Sequence, residues 1–303
     1  MSFREFVETM KERLQAAFPE KTVQVQEVHK NNDRKFTCLQ VLTKGSNMAP
    51  CLYLDGFYRD DLNEEDLDTI LQALKEAVYE AKDKAPDIGE ISDFSFMRDK
   101  IFYTLINASK NEDLLKVHPH ILWNDLAIVF RCRVASYDEG CTSFLISAAL
   151  SKKWNVTAEE LYKLAKENTP KLFSWKVTGM NEIMEQLLGM PNPLKPLEQN
   201  TNQITECVEE VYVATNSAGI NGACVILCDD VLQEFAEKCG SNFYVLPSSI
   251  HEVLLVPESD TMNDVHSLEQ MVSEVNATEV LPEEILSDSV YYYDRATSEL
   301  KIA

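Results

Sequence analysis

Apolar residues follow a helical period from the first positions of the chain. Phe3, Phe6, Val7, Met10 and Leu14 lie on one face, and Pro19 ends the run. Ser2 and Glu5 stand at the spacing of a capping box, so a helix is predicted to open at Ser2. The period then changes to two. Residues Thr22–Val28 and Phe36–Leu42 alternate about the turn Lys30-Asn-Asn-Asp33, which predicts a β-hairpin, and Cys51–Leu54 extends it as a third strand. Helical spacing returns with Leu67, Ile70, Leu71, Leu74 and Val78, after a cap at Asn63 and acids at Glu64, Glu65 and Asp66. Lys75, Lys82 and Lys84 lie toward the other end, where cations complement the helix dipole.

Two apolar runs, Lys100–Asn107 and Asp125–Val134, predict further strands, the second with Arg131 and Arg133 out and Phe130, Cys132 and Val134 in. Thr157 and Glu160 form a second capping box, opening a helix to about Asn168, and another helix runs from Thr178 or Asn181 to Gly189. Three prolines in Met190–Pro196 can propagate neither a helix nor a central strand, and mark a predicted domain boundary. Beyond it, predicted strands Val211–Thr215 and Ala223–Leu227 flank a turn rich in Asn and Gly. Asp229 caps a predicted helix ending at Gly240. Strands at Phe243–Leu246 and Val253–Val256 follow, then a helix over Asp260–Val275 and a closing hairpin of Val290–Asp294 with Glu299–Ile302.

These elements predict an α+β protein of two domains. Residues 1–190 form an N-terminal helix–hairpin–helix mixed α/β domain, and residues 205–303 an acidic two-layer ββαββα C-terminal domain with a closing β-hairpin.

Charge sharpens the division. Residues 200–303 carry 19 Asp and Glu against only Lys238, Arg295 and Lys301, a net of −16 out of −22 for the whole chain. Such a field repels nucleic acid and anionic membrane and favours a basic protein partner. Apolar residues at 45% are enough for packed cores, so the acid does not imply disorder. No apolar stretch reaches the length of a membrane span, and the first residues lack the basic and apolar regions of a secretory signal; both predict a cytoplasmic protein. Eight scattered cysteines, with no Cys-x-x-Cys pair, fit buried thiols rather than a disulfide scaffold; Cys224 and Cys228 fall on one face of the predicted strand.

The run Phe243–Pro257, together with Val275–Val280, Pro282–Asp294, the N-terminal hairpin and Val156–Phe173, resembles an uncharacterised family of proteins about this long. Its members come from gut Clostridia and relatives, often near mobile-element genes. The resemblance implies a bacterial cytoplasmic setting. It carries no activity, cofactor or catalytic residue.

The most chemical-looking segment is Pro247-Ser-Ser-Ile-His-Glu252. Ser248 or Ser249, His251 and Glu252 are the types needed for a nucleophile, a base and an orienting carboxylate. Triad members usually converge from distant segments, and no Gly-x-Ser-x-Gly elbow is present, so a tight turn is the favoured reading. His118-Pro-His120, with Asp125 nearby, lacks a third ligand at metal spacing. Asp229 and Asp230 with Glu206, Glu209 and Glu210 lack the pattern of a calcium loop. The glycines of Asn216–Gly222 precede a predicted strand rather than a helix, and Arg131, Arg133, Lys152 and Lys153 are too few for a nucleic-acid surface. No cofactor and no metal site is predicted.

The leading expectation is a non-enzymatic binding protein whose acidic domain meets a basic partner, one form being a nucleic-acid mimic; simple solubility is the competing explanation of the acid. The alternatives are a hydrolase using the Ser248/Ser249–His251–Glu252 loop and a small-ligand sensor with a pocket between domains.

Overall fold

The computed structural model describes residues 1–44, 49–83, 91–137, 140–188, 211–258 and 264–303. The chain forms two compact units, Met1–Asp87 and Ile88–Ala303. The first runs α1 (Phe3–Ala17), β1 (Thr22–His29), β2 (Lys35–Leu42), β3 (Cys51–Tyr53) and α2 (Glu64–Asp83). The capping box forms: Glu5 N–H donates to Ser2 Oγ at 3.3 Å, and Ser2 N–H donates to Glu5 Oε2 at 2.8 Å. At α2, Asn63 and Asp66 cap each other reciprocally at 3.1 Å. The three strands pair antiparallel in the order β1-β2-β3. Asn32 and Asp33, at φ of 59° and 46°, supply the left-handed positions of the first turn. Phe6, Met10 and Leu14 of α1 and Leu67 and Leu74 of α2 share one core with Leu39 and Leu52. Arg13 donates to the Glu64 and Asp68 carboxylates and ties the two helices together.

The second unit opens with α3 (Phe94–Met97), β4 (Ile101–Asn107), α4 (Glu112–Val117), β5 (His120–Trp123), β6 (Leu126–Tyr137), β7 (Gly140–Leu145), α5 (Ala148–Trp154) and α6 (Ala158–Leu172). It continues with β8 (Trp175–Gly179), α7 (Met180–Leu188), β9 (Tyr212–Asn216), α8 (Asp229–Cys239), β10 (Phe243–Leu246) and β11 (Val253–Pro257). Helix α9 (Val265–Thr278) and strands β12 (Tyr291–Asp294) and β13 (Glu299–Ile302) complete it. Strand β6 pairs with β4, β5 and β7 in one antiparallel sheet; the other sheet has the order β13-β12-β10-β11-β9-β8. All four residues of β10 are buried because both faces are covered. Phe243 and Val245 join a core with Tyr103, Phe130, Leu161 and Phe235, whereas Tyr244 and Leu246 pack with Leu268 and Val272 of α9.

The α+β class holds, with four departures in detail. The compact units part at 87/88 and not within 190–205, because β8 pairs with β9 and the larger core draws residues from 97 to 293. The Met190–Pro196 segment itself lies outside the described residues.

Residues Ala223–Leu227 are not a strand. Gly222–Leu227 is a 3-10 helix, buried throughout, so it shows no period by which the sequence could separate a strand from a tight helix. The expected ββαββα order of the C-terminal part therefore lacks its second strand. Asp229 does not cap α8: Cys228 is the N-cap residue, and Asp229, the first residue of the helix, pairs with Lys166 at 3.3 Å. Helix α9 starts at Val265, with Asp264 accepting from His266 N–H, while residues 259–263 lie outside the described residues.

Candidate functional site

The segment from Pro247 to Glu252 joins β10 to β11 and is held by its backbone. Leu286 N–H donates to Ser248 O at 2.9 Å, Ser287 N–H to Pro247 O at 3.0 Å, and Ile250 N–H to Glu284 O at 2.9 Å. On its other side Ala223 N–H donates to Ile250 O at 3.2 Å and Thr215 Oγ1 to His251 O at 2.8 Å. Gly222 allows this approach: a Cβ there would stand 2.6 Å from His251 O and 2.7 Å from Asn216 N.

Both nitrogens of His251 are engaged. Asn221 N–H donates to Nδ1 at 3.2 Å, which makes Nδ1 the acceptor and leaves the proton on Nε2, 3.3 Å from Glu284 Oε1. Ser249 Oγ accepts from the backbone N–H of His251 at 3.0 Å and so serves the turn. No hydroxyl of Ser248 or Ser249 meets the imidazole, and Glu252 does not orient it. The four residues share a loop, but they do not form the nucleophile–base–carboxylate chain that acyl transfer needs.

Two depressions adjoin this loop. One, of about 370 Å³, is lined by Gly219, Ser249, His251, Glu252, Glu279, Val280 and Glu284. Among the described residues, no Lys or Arg lines it with its three carboxylates. The other, of about 130 Å³, lies between the ends of β10 and β11 and helix α9, with Leu246, Leu254, Val272, Val275 and Val280 making its walls. Ser248 lines this second slot, and Ser249, Glu252 and Val280 border both. Helix α9 ends beside the acidic depression with no basic residue in its last turn, and Glu279 is its C-cap residue. Its negative pole and Glu279 therefore add to the field of Glu252 and Glu284.

A second polar cluster hangs from the same chain segment. The Asp125 carboxylate accepts from the Tyr291 hydroxyl, from Ser287 Oγ at 2.6 Å and from Ser289 Oγ at 3.3 Å. Burial, and next the hydrogen bond to Asp125, hold the Tyr291 phenol well above its ordinary pKa. Trp123 stacks on the Tyr291 ring at 5.7 Å. Asn107 Nδ2 donates to Leu286 O at 2.9 Å, and Lys110 pairs with Asp288 at 2.8 Å. The three hydroxyls come from alternate residues of the chain, Ser287, Ser289 and Tyr291.

Several other candidates have structural partners, while Glu206, Glu209 and Glu210 lie outside the described residues. His118 Nδ1 lies 2.8 Å from Leu114 O, and His120, on β5, has Nδ1 3.0 Å from His118 O. Asp125, their neighbour in sequence, is taken by the hydroxyls. Arg131 donates to Ser143 and Arg133 to Leu172 O. Burial pushes the Cys38 and Cys132 thiols up to about 12 and raises Cys224 and Cys228 as well, so all four stay protonated at neutral pH. Cys239 is disulfide-bonded, which the reading of scattered thiols did not foresee. Among the described residues no group of three or more His, Cys, Asp and Glu is placed to hold a metal ion. Nor is any described helix long and apolar enough to cross a membrane.

Fold and site together define an α+β protein with an acidic depression beside an apolar slot. The chain belongs to a family of unknown function, DUF5688, whose model matches residues 3–295. This agrees with the uncharacterised family implied by its sequence. No curated protein and no solved structure matches the chain.

Proposed function

We propose that the protein is a non-enzymatic cytoplasmic binding protein whose acidic C-terminal part meets a basic protein partner. The observation that carries this reading is the depression at His251: Glu252, Glu279 and Glu284 line it beside the negative pole of α9, and among the described residues no basic side chain lines it with them. Elsewhere on this part of the chain, some acids are matched internally, as in Asp229 with Lys166, Asp288 with Lys110 and Glu299 with Lys301. The engagement of both His251 nitrogens supports binding over hydrolysis.

An exposed ion pair contributes roughly 0.2–1 kcal/mol, so recognition by charge alone needs several pairs and weakens with salt. The test is affinity capture from a native lysate at about 0.1 M and about 1 M salt, where the Debye length falls from about 10 Å to about 3 Å. A basic protein held at the lower concentration and released at the higher supports the reading; recovery of none, or salt-independent recovery, contradicts it. The finer form, a nucleic-acid mimic, requires in addition that duplex DNA compete for the captured partner.

A further inference from the structure

We infer that the apolar slot and the acidic depression form one docking site for a peptide segment of the partner, in which an apolar side chain fills the slot and a neighbouring Arg or Lys lies across the carboxylates. The inference rests on the basic-partner reading and adds the place and the chemistry. The two depressions are contiguous, since Ser249, Glu252 and Val280 border both. The slot continues the core between the six-stranded sheet and α9 outward, from buried Leu246 and Val272 to half-buried Val275 and Val280. Met271, 50% exposed, stands at its edge, and a flexible thioether there can adapt to an inserted side chain.

Charge complementarity selects the occupant. Glu284 is already held by His251, whereas no cation among the described lining residues stands beside Glu252 and Glu279. A carboxylate at the C-cap of a helix opposes the dipole, and a cation brought by a partner reverses that penalty. An acidic or neutral apolar peptide would fill the slot but leave this field unmatched. A basic peptide without an apolar residue would leave the slot empty.

The test titrates the full chain, with labelled Met, Leu and Val methyl groups, against three synthetic peptides: acetyl-Arg-Leu-Arg-amide, acetyl-Arg-Ser-Arg-amide and acetyl-Glu-Leu-Glu-amide. The first is expected to shift the methyl signals of Met271, Val275 and Val280, and the other two to bind about tenfold more weakly or not at all. Glu252→Gln with Glu279→Gln should weaken the first peptide about fivefold to tenfold while leaving the slot methyls in place. Met271→Lys, at an exposed position, should weaken it comparably. Equal binding of the Ser and Leu peptides overturns the slot, and equal binding of the Glu and Arg peptides overturns the acidic mouth. Shifts confined to another surface overturn this site and leave the basic-partner reading standing. Loss of that reading instead shows as failure of salt-sensitive capture.

Discussion

Two carboxylate clusters hang from the stretch between Glu284 and Tyr291, and they are built in opposite ways. At Asp125, one carboxylate collects three hydroxyl donors, and the partner phenol is fully buried. At His251, three carboxylates, two of them half-buried, line an open depression, and among the described lining residues Glu284 alone has a partner, His251. A satisfied buried network specifies a fold, because removing a member leaves others unpaired. An unsatisfied exposed one contributes little to stability and retains its field for something outside the chain.

This contrast is broken most directly at Asp125. Asp125→Ala strands three hydroxyls and should cost about 3 kcal/mol in denaturant unfolding, without altering the affinity of the folded protein for a basic peptide. Gly222→Ala should cost about 2–3 kcal/mol, since the new methyl group enters the backbone around His251 and Asn216. Unlike Asp125→Ala, it should also weaken peptide binding, by displacing the His251 loop. Tyr291→Phe removes one donor and should cost about 1–2 kcal/mol.

Alkaline pH probes the Tyr291 phenol of this network and, elsewhere in the core, that of Tyr103 beside Cys228. Tyr291 and Tyr103 both have raised pKa values, chiefly through burial, and stay neutral in the fold. Unfolded tyrosines ionise near pH 10, so above about pH 10 the unfolded chain has released protons that the folded chain keeps. Stability therefore falls as pH rises past that point and is unaffected by these groups below it. Ultraviolet titration should show these two phenols ionising together with unfolding; ionisation of Tyr291 within the folded protein would contradict its place in the Asp125 network.

Local features were legible in the sequence. The two capping boxes, the Asn32–Asp33 turn and the Gly240 terminus at φ of 73° all form, because each depends on residues within a few positions of one another. The 3-10 turn at Gly222–Leu227 was not, since a run buried on all sides carries no period. The step in acidity falls near 200, while Trp175–Gly179 pairs with Tyr212–Asn216 across it and the compact units part at 87/88. The Asp125 network was illegible for a different reason. Asp125 lies close to His120 in sequence, while its donors come from the other end of the second unit. The Ser248–Glu252 loop was located correctly as a loop between strands, but only the fold shows that Asn221 and Glu284 occupy its imidazole.

The central claim is that carboxylates at the end of α9 are kept for a partner and not for the fold. Glu279→Gln tests it by two readings of the same sample, the thermal midpoint and the affinity for acetyl-Arg-Leu-Arg-amide. Relief of a like charge at the helix C-terminus should stabilise by about 0.3–1 kcal/mol, raising the midpoint by about 1–4 °C. The affinity should fall severalfold at the same time. A lowered midpoint with unchanged affinity would contradict the account, because Glu279 would then belong to the fold.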